Sequence, residues 1–140
     1  ILVVVSVAMG PQIIQGTTDF YNQKLNYHLN QEGKIDLKTK CKQDSIYGIG
    51  PGGGDYSASC IFILEGDDYK NLISLVNTSE EFKKMNIIEF DHQINLNELD
   101  CAKNIKFKNV GYQSVNGSMM YSKIVVSADN KYCYFNLDYF

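Results

Sequence analysis

The chain contains no arginine, so all 13 of its basic residues are lysines. Arginine is the usual residue for bidentate recognition of phosphate and guanine. The chain has a formal net charge of −3 and lacks the residue type that is best suited to bind nucleic acid or phosphate groups. We therefore expect no nucleic-acid partner and no phosphate-transfer chemistry.

Metal-binding and catalytic patterns are also missing from the sequence. None of the four cysteines lies in a CxxC pair, and the two histidines, His28 and His92, are not at ligand spacing from a cysteine. Asp91 precedes His92, but neighbouring strand residues point to opposite faces, and no Gly-x-Ser-x-Gly elbow marks a nucleophile. We expect no enzyme activity, no metal and no cofactor. A hydrolase that uses His28 or His92 ranks third, after the two non-enzymatic hypotheses given at the end of this section.

Two glycine-containing stretches lack the spacing that ligand binding requires. The glycine-rich residues 48–55 have neither the Gly-Lys-Ser/Thr ending of a P-loop nor the strand and helix that flank a dinucleotide fingerprint. Residues 65–68 read Glu-Gly-Asp-Asp, which does not meet the spacing of an EF-hand calcium loop. We expect a surface loop and a solvated turn at these two places.

The even number of cysteines predicts two disulfides and an extracellular or cell-surface location. Four cysteines allow three connectivities. The sequential one is favoured because each pair brackets a self-contained block, which would join Cys41 to Cys60 and Cys101 to Cys133. The competing interpretation is four buried thiols.

Two Asn-x-Ser/Thr sequons, at Asn77 and Asn116, are possible sites of glycosylation. In a protein secreted by a glycosylating organism, we expect both asparagines to be exposed.

Residues 1–16 are the most hydrophobic part of the chain. The first nine are apolar except Ser6, so neither the strand period of two residues nor the helix period of 3.6 residues would give the segment a polar, solvent-exposed face. The segment is therefore expected to be buried on every side. Its valines favour a strand, whereas a helix of this length would span only about half of a ~30 Å hydrocarbon core. A signal peptide is disfavoured because no basic region precedes the apolar run. We interpret residues 1–16 as an assembly segment and residues 17–140 as a globular domain, with the subunit interface formed by Ile1, Leu2, Val3, Val4, Val5, Val7, Met9, Ile13 and Ile14.

The remaining chain predicts an α+β domain. Residues 17–19 provide a helix N-cap, residues 20–30 have the apolar period of an amphipathic helix, and Gly33 is suited to end it. Strands are predicted over residues 34–41 and 86–90, a short helix over 78–85, and an antiparallel meander over 104–110, 119–127 and 131–140. The predicted fold is an N-terminal apolar segment and helix packed on an antiparallel β-sheet, held by two disulfides.

The apolar run Ile-Leu-Val-Val-Val-Ser-Val-Ala at residues 1–8, followed by Pro11 and residues 12–15, resembles the N-terminal helix of type IV pilins and type II secretion pseudopilins. The C-terminal sheet, with a cysteine in its last strand, is similar to the globular domain of that family, where a disulfide closes the C-terminal region. In the family the apolar helix anchors the subunit in the membrane before assembly and then packs into the filament core.

The resemblance implies a structural subunit of an extracellular filament that polymerises with copies of itself and contacts the membrane only before assembly. If residues 1–14 form a strand instead, they would complete the sheet of a neighbouring copy by donor-strand insertion. The alternative is a monomeric, secreted, disulfide-stabilised binding or inhibitory domain whose N-terminal strand belongs to its own core.

Overall fold

The computed structural model of the protein describes residues 12–14, 16–47, 55–90, 99–115 and 119–139. They form a seven-stranded antiparallel sheet with two α-helices. The elements in chain order are β1 Gln12–Ile14, α1 Thr18–His28, β2 Lys38–Tyr47, β3 Asp55–Ile63, α2 Asp68–Thr78, β4 Phe82–Asn86, β5 Val110–Ser114, β6 Met120–Val126 and β7 Tyr132–Tyr139. Short 3-10 helices occupy Ile87–Glu89 and Asp100–Ala102, and the strand order across the sheet is β1-β2-β3-β7-β6-β5-β4.

Both faces of the sheet are covered. On one face, α1 and α2 pack their apolar stripes against β3, β6 and β7, and the buried residues there include Tyr21, Leu25, Leu72, Phe62 and Phe135. On the opposite face, residues 99–107 cover a smaller cluster formed with Ile61 and Tyr134. Side chains of successive strand residues point to alternate faces, so β3 and β7 contribute to both clusters and are buried on both sides.

The first helix forms where the sequence predicts it. Thr17 is the N-cap, and its side-chain oxygen accepts a hydrogen bond from the Phe20 amide at 3.2 Å. The helix ends in a Schellman motif in which Asn30, with φ of 55°, takes the left-handed position and the Gln31 amide donates to the Asn26 carbonyl. The end assigned to Gly33 is therefore three residues too late, because an asparagine serves as the left-handed residue.

The predicted fold class is wrong in its N-terminal part. Residues 12–14 form β1, an edge strand antiparallel to β2 with Gln12 opposite Ile46, so Ile13 and Ile14 do not belong to an apolar helix that continues into α1. The seven-stranded sheet is the main component of the described structure, and both helices are short. The predicted interface residues from Ile1 to Met9 lie outside the described part of the chain.

The presence of a disulfide is confirmed, but the predicted number and pairing are wrong, because the structure has a single bond between Cys41 and Cys101. Cys41 lies opposite Ile61 in the β2–β3 register, so its side chain is on the face covered by residues 99–107. Cys60, one residue before Ile61, points to the helix face and cannot reach Cys41. Cys60 and Cys133 are both free thiols buried in the helix-side core, and burial raises the pKa of each.

Several element boundaries differ from prediction because tertiary packing overrides local pattern. The helix expected at residues 78–85 is replaced by β4, since α2 buries Leu72 and Val76 and ends at Thr78. The strand expected at 86–90 is a 3-10 turn. The second and third strands of the predicted C-terminal meander are confirmed as β6 and β7. The first, expected over residues 104–110, is wrong: β5 begins at Val110, and residues 104–109 contribute only the isolated bridge between Phe107 and Ser127.

Candidate functional site

A surface cleft of about 540 Å³ lies between α1 and residues 31–36. Two asparagines one turn apart on its helical wall are already engaged. Asn26 donates to the Ile35 carbonyl at 3.0 Å and accepts from the Ile35 amide at 3.2 Å, and Asn22 makes the same pair of bonds with Leu37. Each side-chain amide thus takes the place of a neighbouring strand's backbone.

This asparagine pair explains why residues 34–37 are extended without belonging to the sheet. The predicted strand over 34–41 is correct only from Lys38 onward, because helix side chains satisfy the backbone before it. The side-chain amides of Asn22 and Asn26 in the wall of this cleft are committed to backbone partners. We assign this region a structural role.

A second cleft, of about 240 Å³, is more enclosed and chemically more specific. It lies between α2 and the strands β4, β5 and β6. We call it the lysine cleft, and it is lined by Tyr69, Ile73, Asn77, Lys84, Lys108, Val110, Tyr112 and Val126.

One wall of the lysine cleft is a stripe of α2. Tyr69, Ile73 and Asn77 are four residues apart, so they lie one above another on the same side of the helix. The core stripe of the same helix is formed by Leu72 and Val76, which are almost fully buried. The helix therefore uses one stripe for packing and presents the neighbouring stripe to the cleft.

The other wall comes from the edge of the sheet. Lys84 of β4 lies directly opposite Tyr112 of β5, so both side chains are on the helix face. Lys108 precedes β5, and its amide donates to the Val126 carbonyl at 3.0 Å, which fixes its backbone beside β6. Strand pairing thus brings together two lysines that are 24 positions apart in sequence.

Lys108 connects the two walls at one end of the cleft. Its Nζ donates to the Tyr69 hydroxyl at 3.2 Å and lies 4.8 Å from the centroid of the same ring. At the other end, Asn77 and Tyr112 both line the cleft. Burial and the neighbouring Tyr69 raise the pKa of Tyr112, so this phenol keeps its proton and remains a hydrogen-bond donor at neutral pH.

The lysine cleft is positively charged although the chain as a whole is negative. None of the described residues that line it is acidic. Neither Lys84 nor Lys108 takes part in the ion pairs of the described structure, which join Lys38 to Glu65, Lys103 to Asp100 and Lys123 to Asp138. Two lysines and two phenols around an apolar floor can neutralise and hydrogen-bond one negatively charged group.

A buried polar network lies on the opposite face of the sheet. Lys123 is 1% exposed and its Nζ lies 3.2 Å from Asp138, which also accepts a hydrogen bond from Ser57 at 2.7 Å. Asn136 donates to Ser57 and Ser59. These contacts join β3, β6 and β7, and a charged pair buried in this way costs stability when either partner is removed.

The described structure does not bring the candidate catalytic and metal-binding residues of the sequence together in one site. His28 is buried in α1 and its pKa is lowered to about 4, while His92, Asp91 and most of the glycine-rich stretch lie outside the described residues. Residues 65–68 form a turn in which Asp68 accepts from the Glu65 amide. Among the described residues, no three His, Cys, Asp or Glu side chains are grouped as metal ligands would be.

The two sequons fare differently. Asn77 is exposed at the C-terminal end of α2 and lines the lysine cleft, whereas Asn116 lies outside the described residues. Glycosylation of either asparagine stays a prediction.

Neither helix in the described part of the chain is long and apolar enough to cross a membrane.

No family model, curated protein or solved structure that was compared with the chain matches it. The comparisons neither support nor oppose the resemblance to pilins.

Sequence reasoning missed the lysine cleft altogether. The four-residue spacing of Tyr69, Ile73 and Asn77 was readable as a helix stripe, but residues 69–76 are equally compatible with a strand by pattern. The two lysines carry no local signal, because only the register of β4 with β5 places them beside α2.

Proposed function

We propose that the protein is a non-enzymatic binding domain that takes up an anionic ligand in the lysine cleft. The observation that carries the proposal is the convergence of Lys84, Lys108, Tyr69 and Tyr112 on one concave site without an acidic lining residue. Ligand sites typically combine an apolar surface with a few convergent polar groups, as this cleft does. The Cys41–Cys101 disulfide supports an extracellular setting for such a domain, since disulfides persist in oxidising compartments.

The cleft favours binding over catalysis because its polar groups are suited to hold charge. Lysine is a compact point charge with three donors, and a protonated phenol adds a directional donor. The partly buried floor lowers the local dielectric, which strengthens these interactions relative to an exposed patch. The described lining includes no histidine, cysteine or carboxylate that would move a proton or attack a bound group.

The neighbouring residues Lys83 and Lys84 allow a matched test. Both are exposed on β4, but Lys83 lies opposite Gln113 and faces away from the cleft. Amide chemical shifts would be followed by NMR while the protein is titrated with benzoate, acetate and inorganic phosphate. At least one anion should shift the amides of residues 69–77 and 110–112. Lys84→Ala should weaken that binding about tenfold or more, and Lys83→Ala should leave it unchanged.

Two results would contradict this proposal. The first is the absence of saturable shifts at the cleft with all three anions. The second is an equal loss of affinity in both lysine variants, which would indicate a general charge effect.

A second candidate is self-assembly into an extracellular filament through residues 1–14. The supporting observation is that β1 is a three-residue edge strand whose partners on β2, Asp44 to Ile46, can equally receive β1 from another copy. The rest of the β2 edge is unsuited to strand addition, because Lys38, Lys40 and Lys42 and a bulge between Thr39 and Cys41 protect it. Exchange of β1 is therefore the specific route to a homopolymer.

Negative-stain microscopy of the full chain beside a chain that starts at Thr17 tests this second candidate. Filaments formed only by the full chain would support assembly through the N-terminal segment. Uniform small particles of the full chain at every concentration would refute it and leave the binding domain as the remaining proposal.

A further inference from the structure

The lysine cleft combines a cationic side with an apolar side, and this combination restricts the ligand. Lys84 is exposed and Lys108 is half-buried, whereas Val110 on the sheet side is apolar and 39% exposed, so a ligand can cover it. Ile73 completes the apolar surface from the helix. A ligand that satisfies both sides carries its charge at one end and hydrocarbon at the other.

The volume sets an upper size. At about 240 Å³ the cleft is smaller than the roughly 300–1,000 Å³ that is typical for drug-sized ligands. It therefore suits a compact molecule with one charged group and a short body. Inorganic phosphate would satisfy the lysines but would leave the exposed parts of Ile73 and Val110 in contact with water, so it would gain no apolar burial.

The charge pattern also disfavours a ligand with an amino group beside its carboxylate. An ammonium group needs an anionic or acceptor-rich partner, and none of the described lining residues is acidic. Lys84 and Lys108 would instead repel it. Free amino acids are thus disfavoured relative to the corresponding simple acids.

Resting on the proposed function, we infer that the ligand of the lysine cleft is a small monocarboxylate with a short branched or cyclic apolar body and no amino group. The lysines neutralise the carboxylate, the phenols of Tyr69 and Tyr112 donate to its oxygens, and Ile73 and Val110 pack on the hydrocarbon. This arrangement accounts for each kind of residue in the cleft.

Four probes test the inference by calorimetry on the full chain. They are isocaproate, leucine, isocaproamide and inorganic phosphate. Leucine is isocaproate with an added amino group, and isocaproamide lacks the charge. Isocaproate should bind at least about tenfold more tightly than each of the other three probes. Isocaproamide lacks the charge interaction, phosphate lacks the apolar body, and leucine carries an ammonium group that the two lysines repel.

A variant separates the apolar contribution from the charge. Ile73→Ala removes part of the apolar wall and keeps a good helix former, so it should weaken isocaproate about tenfold and leave acetate binding unchanged. Ser74→Ala, one residue along on the exposed side of α2, is the control and should change neither affinity.

The outcomes distinguish the two levels of the hypothesis. If phosphate or leucine binds as tightly as isocaproate at the same residues, the ligand class is overturned while anion binding at the cleft stands. If isocaproamide binds as tightly as isocaproate, or if none of the four binds at the cleft, both the ligand class and the proposed function are overturned.

Discussion

Acid should destabilise the protein through His28. The side chain is 4% exposed at the end of α1, between the rings of Tyr27 and Phe82 at centroid distances of 5.3 and 6.4 Å. Its Nε2 has no hydrogen-bond partner among the described residues. Burial, and to a smaller extent the charge of Lys24, lowers the pKa of His28 from 6.5 to about 4. The histidine is therefore neutral in the folded protein at pH values where the unfolded chain protonates it.

The sign and size of the effect follow from these pKa values. As the pH falls below 6.5 the unfolded state binds the proton first, so the free energy of unfolding decreases until the folded state also protonates near pH 4. The loss is about 1.4 kcal/mol for each pH unit within this window, which amounts to about 2.5 kcal/mol at pH 4.5. Above pH 6.5 the contribution of His28 is constant.

The assay is urea unfolding of the native protein and of His28→Phe at pH 7.5, 6.5, 5.5 and 4.5. Phenylalanine keeps an aromatic ring between Tyr27 and Phe82 and does not titrate. The difference in unfolding free energy between the two proteins should be flat above pH 6.5 and should shift in favour of the variant by about 2.5 kcal/mol at pH 4.5. Burial raises the pKa of Asp44, which acts in the opposite direction, but Asp44 is present in both proteins and cancels in the difference. Two parallel stability curves would refute the reasoning.

Two further predictions concern the stability of the fold. Asn26→Ala should lower the free energy of unfolding by roughly 2–4 kcal/mol, because it leaves the buried backbone amide and carbonyl of Ile35 unpaired. Denaturant unfolding measures this loss. The control variant Gln23→Ala, at an exposed position of the same helix, should stay within about 0.5 kcal/mol of the native protein. Cys101→Ser should lower the free energy of unfolding by about 4 kcal/mol under oxidising conditions, because the Cys41–Cys101 bond closes a loop of 60 residues and so reduces the entropy of the unfolded chain. Peptide mapping without reduction should recover Cys41 joined to Cys101. A peptide that joins Cys41 to any other cysteine would contradict the fold.

Local features of the sequence were sufficient for part of the fold. The first helix is readable because Thr17 caps it and its apolar residues repeat at helical spacing, and both are interactions within a few residues. The C-terminal strands are readable because alternation and tight turns are local as well. The absence of arginine is likewise readable from residue type alone, and the expectation that the protein has no nucleic-acid partner stays a prediction.

Pairing across the sheet decided the rest. The disulfide depends on the faces to which Cys41 and Cys60 point, and the β2–β3 register sets these faces. The lysine cleft depends on β4 lying beside β5 and under α2, which places Lys84 and Lys108 on one concave surface. Neither result can be read from spacing along the chain, because a shift of one residue in strand register would move every side chain to the other face while leaving the sequence pattern unchanged.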